Sequence, residues 1–341
     1  MRLAAGGGLP VPWNQMNIEF HYYAVHILAL EAGFDERTAF LMANSSQEVD
    51  ASTMPAAFDA PRGPVDVAVT QNYLFWDDAV SRGIYLPFHF MPGDHSAAAS
   101  VRADGRRNRY AVTPNSDSAK ELLVTALRDK DPYLLGIALH TFADTWAHQN
   151  FCGLLDDWND IGSTSIAASL PAAGHLQALS SPDEPDARWQ DGRLVPEQRL
   201  VVNRKRFSAA ATKIFRYLRV YLGRSFNDDE LVVARLDAIW AKPSRDERLA
   251  DYVLCWDIRP YVPGLWRREA GAPENRSAFA SLRHYDKLAW ARNQLSRASG
   301  GVRPAPVPVD SSFYSTDLYR WHEAALEHRR RAVSILERNG L

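Results

Sequence analysis

Three residues whose side chains commonly bind metal ions are spaced four apart within the stretch 131–153, which is predicted to form one helix ending at Gly153. His140, Asp144 and His148 fall at positions i, i+4 and i+8, so on one helix they lie within about 80° of each other at roughly 100° per residue. Apolar residues fill the opposite side of this helix, which indicates a buried helix. Buried imidazoles and carboxylates need partners, and a cation is the usual one. The spacing predicts a metal site; the alternative is a polar network in a helical core.

Two further candidate ligands are brought level by a predicted helical hairpin. One helix is predicted over 20–33 and a second from the capping residue Asp35 to about Asp50, joined by a two-residue connection. His21 and Asp50 would each stand roughly 18–24 Å from the turn, at the same end of the pair. The hairpin therefore predicts that they share a site, although each could instead be a structural or solvated residue.

The remaining candidates lie in two loop-rich stretches, 51–96 and 154–196. His89 stands between prolines and aromatic residues, which predicts a rigid, non-helical segment that either presents a ligand or stacks a structural histidine. His175 follows a glycine in the second stretch, and Asp183 is the nearest acidic residue after it. Both are plausible further ligands.

The rest of the chain predicts an all-α scaffold. Helices are expected over 116–128, 197–222, 228–241, 245–256 and 315–338, with a possible short helix over 276–296 and a solvated basic loop over 97–115. We predict a flexible lead (1–15), a helical metal-binding domain (16–300), a proline-rich connector (301–310) and a C-terminal helix packed on the same domain (311–341). His322 and His328 are expected on the surface of that last helix.

Composition narrows the class of protein. The 341 residues are 46% hydrophobic and 23% charged with a formal net charge of −2, which indicates a globular protein without a general electrostatic grip on nucleic acid. Two cysteines exclude a disulfide framework and a cysteine-based zinc site. No apolar run is long enough for a transmembrane helix, and the N-terminus makes a poor signal peptide. The expected location is cytoplasmic, with export by another route left open.

Several motifs together resemble a known superfamily. The run from Leu135 to Asp144, with His148 and Asn150-Phe151 after it, resembles the central helix of the zinc-dependent phospholipases C and of the related single-strand-specific zinc nucleases. His89-Phe90 with Pro92 and Asp94, Gly174-His175, Phe20-His21 and the end of the helix at Asp50 resemble their other ligand motifs, in the same order. The stretch 140–151 is similar to a group of uncharacterised bacterial proteins within that superfamily.

The resemblance implies an all-helical fold with long ordered loops around a cleft that holds clustered zinc ions. By analogy, one ion would be held by Asp50, His89, His140 and Asp144, a second by His21 with Asp144 as a bridge, and a third by His148 and His175. Two departures concern the ligand set. The family's second ion also takes the mature N-terminal amine, for which Glu19 could substitute, and the family's glutamate after the Gly-His motif would be replaced by Asp183. The expected number of zinc ions is therefore two or three.

The same resemblance implies hydrolysis of a phosphodiester by a metal-activated water, with Asp50 as the catalytic carboxylate as well as a ligand. A phospholipid or lipid-like substrate is preferred, because the many aromatic residues between 73 and 96 could line an apolar mouth. One alternative is a zinc-dependent single-strand nuclease that stacks bases on those aromatic residues. Another is a metal-binding helical scaffold with a non-hydrolytic or binding role.

Overall fold

The structure, a computed structural model, describes residues 17–53, 55–72, 77–162, 170–272 and 305–341. Within these ranges the chain is mostly helical, as the sequence predicts. The predicted lead (1–15), the possible helix over 276–296 and residues 301–304 of the connector lie outside the described residues. Every described helix is too short or too polar to cross a bilayer.

Eleven α-helices and three 3₁₀ turns follow one another along the described chain, with two π-helical segments that adjoin α1 and α3. The α-helices are α1 (Val25–Ala32), α2 (Glu36–Ala51), α3 (Asp78–Val80), α4 (His95–Ser100), α5 (Asp117–Asp129), α6 (Pro132–Ala147), α7 (Asn203–Tyr221), α8 (Asp229–Trp240), α9 (Arg245–Trp256), α10 (Leu265–Glu269) and α11 (Asp317–Arg338). The π-helical segments are Glu19–Ala24, which leads into α1, and Ser81–His89, which continues α3. The 3₁₀ turns are Asp157–Asn159, Leu176–Ala178 and Ser311–Ser315.

Two small sheets, which the sequence pattern did not predict, join loop segments. In the first, β1 (Ala57–Ala60) pairs antiparallel with β2 (Gly63–Asp66) and parallel with β5 (Val307–Pro308). In the second, β3 (Arg188–Gln190) pairs antiparallel with β4 (Leu200–Val202). These strands are only two to four residues long, too short for an alternating pattern to be recognised.

Helix α6 is the centre of the fold. Every residue from Tyr133 to Ala147 is buried, and α6 packs against α2, α5, α7 and α11. Helix α2 packs tightly against α6 at Gly136, where a Cβ atom would lie 2.3 Å from the carbonyl oxygen of Met42. Only glycine leaves room for this contact between the two helices.

Predicted helix ends hold where a side chain caps the helix. Asp35, Ser116, Asp131 and Ser244 each accept a hydrogen bond from a backbone N–H in the first turn of α2, α5, α6 and α9. The prediction that α6 reaches Gly153 is wrong. The helix ends at Ala147, with His148 as its C-terminal cap, and Asn150 takes a left-handed conformation (φ 69°) that a helix cannot continue through.

Two other predictions are corrected by tertiary contacts. Ser81–His89 is π-helical, so His89 ends a helical segment instead of standing in an irregular loop. Pro87 is accommodated there, and its carbonyl accepts a hydrogen bond from His328 Nε2 at 3.0 Å. The second correction concerns His322 and His328, which are 7% and 1% exposed and face the core instead of solvent.

Candidate metal centre

Five separate segments bring the predicted ligands to one buried region. The first π-helical segment carries His21, the last turn of α2 carries Asp50, the second π-helical segment ends at His89, α6 carries His140, Asp144 and its cap His148, and the loop after it carries His175 and Asp183. All of these residues are at most 9% exposed. The helical hairpin does place His21 and Asp50 at the same level, as the sequence indicates.

Asp144 lies at the middle of the larger group. Its Oδ1 is 3.2 Å from His21 Nε2, and its Oδ2 is 3.3 Å from His89 Nδ1 and 3.2 Å from His140 Nε2. Asp50 Oδ1 lies 3.8 Å from the same nitrogens of His89 and His140. One carboxylate is thus surrounded by three imidazoles, with a second carboxylate beside them and His148 Nδ1 3.6 Å from Asp144 Oδ2.

The backbone fixes how four of these imidazoles are turned. Each has one ring nitrogen within hydrogen-bond distance of a carbonyl oxygen: His89 Nε2 of Thr70 at 2.8 Å, His140 Nδ1 of Ser46 at 2.9 Å, His148 Nδ1 of His89 at 2.8 Å and His175 Nδ1 of Leu179 at 3.0 Å. A carbonyl oxygen only accepts, so the nitrogen next to it carries the hydrogen. In the neutral ring the other nitrogen then has a lone pair available for a ligand, the usual arrangement around protein metal ions.

This orientation sets two lone pairs against each other. His89 Nδ1 and His140 Nε2 are 3.1 Å apart, and neither neutral ring has a hydrogen left to place between them. Burial, together with His21, lowers the pKa of His140 to about 3, so His140 does not supply a proton at neutral pH. An additional cation, either a proton or a metal ion, is needed to hold these two nitrogens and Asp144 together.

A second, smaller group lies at the other end of the site. His148 Nε2 is 3.6 Å from Asp183 Oδ1, and His175 Nε2 is 3.6 Å from Asp183 Oδ2. The two imidazoles stack with ring centroids 4.8 Å apart, and Phe90 covers His148 at 4.5 Å. The separations of 3.6 Å exceed hydrogen-bond length, so Asp183 Oδ2 has no hydrogen bond in the described residues. The same is true of Asp50 Oδ2.

The charges in the site depend on these contacts. Burial alone would raise the pKa of Asp144, but His148, His140 and His21 outweigh burial and hold it well below its usual range. Burial raises the pKa of Asp50 well above its usual range. Burial opposes the charge on His148, yet Asp144 and Asp183 raise the pKa of His148 to about 9. The described buried region thus brings together three carboxyl groups and five imidazoles, donor types that suit a divalent cation.

Three sets of ligand atoms in the described residues lie within 4.8 Å of one another. The sets are His21, Asp50 and His140; His89, His140 and Asp144; and His148, His175 and Asp183. The first two share His140, so they form one compound group, which we call the central group. The third, which we call the outer group, shares no residue with them.

Glu19 is in none of these groups. Its two carboxylate oxygens each accept a hydrogen bond from Arg248 at 2.8 Å, and Tyr252 lies at 3.3 Å. The structure thus gives Glu19 a different partner from the ion that the sequence analysis suggested, because an arginine 229 residues away neutralises it. Tyr73, Phe75 and Trp76, part of the predicted apolar mouth, lie outside the described residues.

The groups that orient the candidate ligands were not predicted. The carbonyl groups of Ser46, Thr70 and Leu179 leave no trace in the sequence, since any residue can supply a carbonyl oxygen. The spacing of Trp321, His322, Ala325 and His328 on one face of α11 is a signal that could have shown the two histidines to be buried.

Comparison with known proteins identifies a family. Searches among curated proteins and among solved structures gave no match. DUF6765, described as a family of unknown function, matches residues 16–336. This span includes every residue of the central and outer groups and nearly the whole described chain. The chain therefore belongs to the DUF6765 family.

Proposed function

We propose that this protein is a metal-dependent phosphoester hydrolase that uses two or three zinc ions. The observation that carries the proposal is the 3.1 Å approach of His89 Nδ1 to His140 Nε2, with Asp144 beside both. Both rings are turned by carbonyl groups so that their basic nitrogens meet, an arrangement that costs free energy unless a cation lies between them.

The residues present fit zinc better than calcium or magnesium. Neutral imidazole and carboxylate are common zinc ligands, whereas calcium and magnesium prefer oxygen alone. The central group offers three imidazoles and two carboxylates, and the outer group offers two imidazoles and one carboxylate. Asp50 Oδ2 and Asp183 Oδ2, which accept no hydrogen bond from any residue that the structure describes, are the oxygens with spare capacity for an ion or a water.

Zinc ions held in this way would neutralise phosphate charge. They would also lower the pKa of a water, so that hydroxide is available to attack phosphorus. The side chains themselves would orient that water and accept a proton from it. Asp50 suits that role, because burial raises the pKa of its carboxyl group well above its usual range and its Oδ2 has no hydrogen bond within the described residues. The resemblance to the zinc phospholipases C supports a phosphodiester as substrate, with a lipid-like one preferred and single-stranded nucleic acid as the alternative.

A second candidate function is supported by the burial of the site. All eight ligand residues are at most 9% exposed, as expected for ions that stabilise a helical scaffold with a binding role. The two functions differ in one measurable respect: only the hydrolase turns over a phosphodiester when the ions are present.

The test is elemental analysis followed by a phosphodiesterase assay on purified wild type, Asp144→Asn and His26→Leu. Asp144→Asn replaces the central carboxylate, whereas His26→Leu removes a buried histidine outside both groups and serves as the control. We expect two to three zinc ions per chain in the wild type and the control, and fewer in Asp144→Asn. The zinc-loaded wild type should hydrolyse bis(p-nitrophenyl) phosphate, a phosphatidylcholine vesicle or single-stranded DNA.

The outcomes separate the candidates. Zinc with hydrolysis of phosphatidylcholine supports the preferred substrate, and hydrolysis of DNA alone supports the nuclease. Zinc without turnover of any of the three substrates supports the scaffold. A folded wild type that binds no zinc contradicts both functions.

A further inference from the structure

Three buried side chains of the C-terminal helix α11 form hydrogen bonds with backbone groups in other parts of the chain. Trp321 Nε1 donates to the carbonyl oxygen of Ser45 at 3.1 Å. His322 Nδ1 accepts from the backbone N–H of Ala68 at 3.0 Å. His328 Nε2 lies 3.0 Å from the carbonyl oxygen of Pro87, to which it donates.

Two of these bonds end beside the carbonyl groups that turn the central imidazoles. Ser45 directly precedes Ser46, whose carbonyl oxygen accepts from His140 Nδ1 at 2.9 Å. Ala68 is two residues before Thr70, whose carbonyl oxygen accepts from His89 Nε2 at 2.8 Å. Trp321 and His322 therefore hold the backbone that determines which nitrogen of each imidazole faces the site.

The third bond contacts the segment that carries His89, and the same His328 ring also contacts the segment that carries His140. Pro87 is two residues before His89, on the same π-helical segment. The ring of His328 also lies 3.1 Å from Thr141 Oγ1, and this hydroxyl donates to the carbonyl of Phe88 at 2.9 Å. Thr141 directly follows His140. One imidazole thus contacts both segments whose ligand nitrogens must stay 3.1 Å apart.

We propose that Trp321, His322 and His328 are positioning residues that set the affinity of the central group for its metal ions. The inference rests on the proposed function, since it assumes that the central group binds zinc. The three side chains act through Ser45, Ala68 and Pro87 and need not contact the ions. Residues that orient metal ligands typically contribute about 10- to 100-fold in metal affinity, which gives the size of effect expected here.

The experiment compares the full-length wild type with His328→Leu, His328→Gln, Trp321→Phe and the control Leu336→Ala. His328→Leu removes the donor to Pro87, whereas His328→Gln keeps a side-chain N–H. Trp321→Phe keeps a ring and loses only the indole N–H, so it reports on the same mechanism if His328→Leu does not fold. Leu336 is buried on the same helix two turns beyond His328, and its truncation destabilises the helix packing without removing a bond to the ligand-bearing segments.

Zinc affinity is measured by competition with a chromophoric chelator, and ligand geometry by the visible absorption spectrum of the cobalt(II)-substituted proteins. We expect His328→Leu and Trp321→Phe to bind zinc about 10- to 100-fold more weakly and to change the cobalt spectrum. His328→Gln should recover most of the affinity, and Leu336→Ala should keep the wild-type affinity and spectrum.

Wild-type affinity and spectrum in both His328→Leu and Trp321→Phe would overturn the inference while leaving the proposed function intact. Equal losses in Leu336→Ala would also overturn it, because general destabilisation would then explain the effect. If the wild type binds neither zinc nor cobalt, the proposed function fails and the inference fails with it.

Discussion

At the scale of single residues, the tautomer of a buried histidine follows from which of its ring nitrogens lies next to a backbone carbonyl oxygen. His140 donates to the carbonyl of Ser46 and keeps its other nitrogen for the site. His26 is equally buried, but neither of its ring nitrogens has a hydrogen bond in the described residues. Sequence alone does not separate these two cases, because the partners are backbone groups brought close by folding. The sequence alone indicated the candidate ligand histidines, with the spacing of 140, 144 and 148 on one helix, whereas the backbone groups that orient each imidazole needed the structure.

Asp183→Asn is expected to remove one ion and to leave the others. The outer group shares no residue with the central group, and the substitution removes its only carboxylate, so the two imidazoles alone should bind zinc weakly. Elemental analysis should show about one zinc fewer per chain than in the wild type. Asp186→Asn, in the same loop, is the matched control. Loss of all zinc in Asp183→Asn would mean that the two groups are not independent.

His26→Leu is expected to stabilise the protein in acid. Burial, aided by the charge of Arg259, lowers the pKa of His26 to about 4. Between about pH 6.5 and 4 its imidazole is therefore protonated in the unfolded chain and neutral in the folded chain. The wild type therefore loses stability as the pH falls from about 6.5 to 4, by about 2 kcal/mol at pH 5. Urea unfolding with a chelator present should show that His26→Leu gains about this much, relative to wild type, between pH 8 and pH 5. Parallel stability curves would contradict the assigned pKa.

At the scale of secondary-structure elements, predictions succeed where the signal is local. The capped starts of α2, α5, α6 and α9 lie within a residue or two of the predicted positions. The segment Ser81–His89 was predicted as irregular because of Pro87, yet contacts with α11 hold it in a π-helical form. Likewise, arginines and glutamates stand beside His322 and His328 along α11, so both histidines were predicted on the surface although they are buried. Long-range contacts decide the form of Ser81–His89, whereas the inner face of α11 could have been recognised from the spacing of its buried residues.

Arg248→Met tests how α9 is joined to the first π-helical segment. Arg248 is 1% exposed and forms a two-bond ion pair with Glu19, so its removal leaves a buried carboxylate without its main partner. We expect a loss of about 3–5 kcal/mol in the free energy of unfolding. The double variant Glu19→Gln with Arg248→Met should recover most of it. Zinc content should stay at the wild-type value in the double variant, and a loss of zinc there would restore Glu19 as a ligand.

At the scale of the whole molecule, the candidate metal centre is also a junction. Its ligands come from segments that span residues 21 to 183, and α11 adds support from the end of the chain. An ion bound here would hold together parts of the chain that are far apart in sequence. The resemblance covers only the first half of the chain, so it gave no prediction for the hydrogen bonds that α11 makes beside the candidate centre.

Zinc removal should therefore lower the stability of the entire fold. An ion that binds only the folded state stabilises it by about 4 kcal/mol when its free concentration is a thousand times the dissociation constant. Thermal unfolding should shift to lower temperature when a chelator is added and return when zinc is restored. Asp144→Asn should show a much smaller shift, and an equal shift in that variant would place the stabilising ion elsewhere.

The contact at Gly136 links helix spacing to acid–base chemistry. A single methyl group there would meet the carbonyl oxygen of Met42 at 2.3 Å and the Cβ of Ser45 at 2.6 Å, so α2 and α6 would have to separate. The carbonyl oxygen of Ser46 would then move away from His140 Nδ1, which now lies 2.9 Å from it, and the imidazole would be free to exchange its two tautomers. Because Gly136 has no side chain, the Ser46 carbonyl stays close to His140 Nδ1, and Nε2 is left as the basic nitrogen of that imidazole.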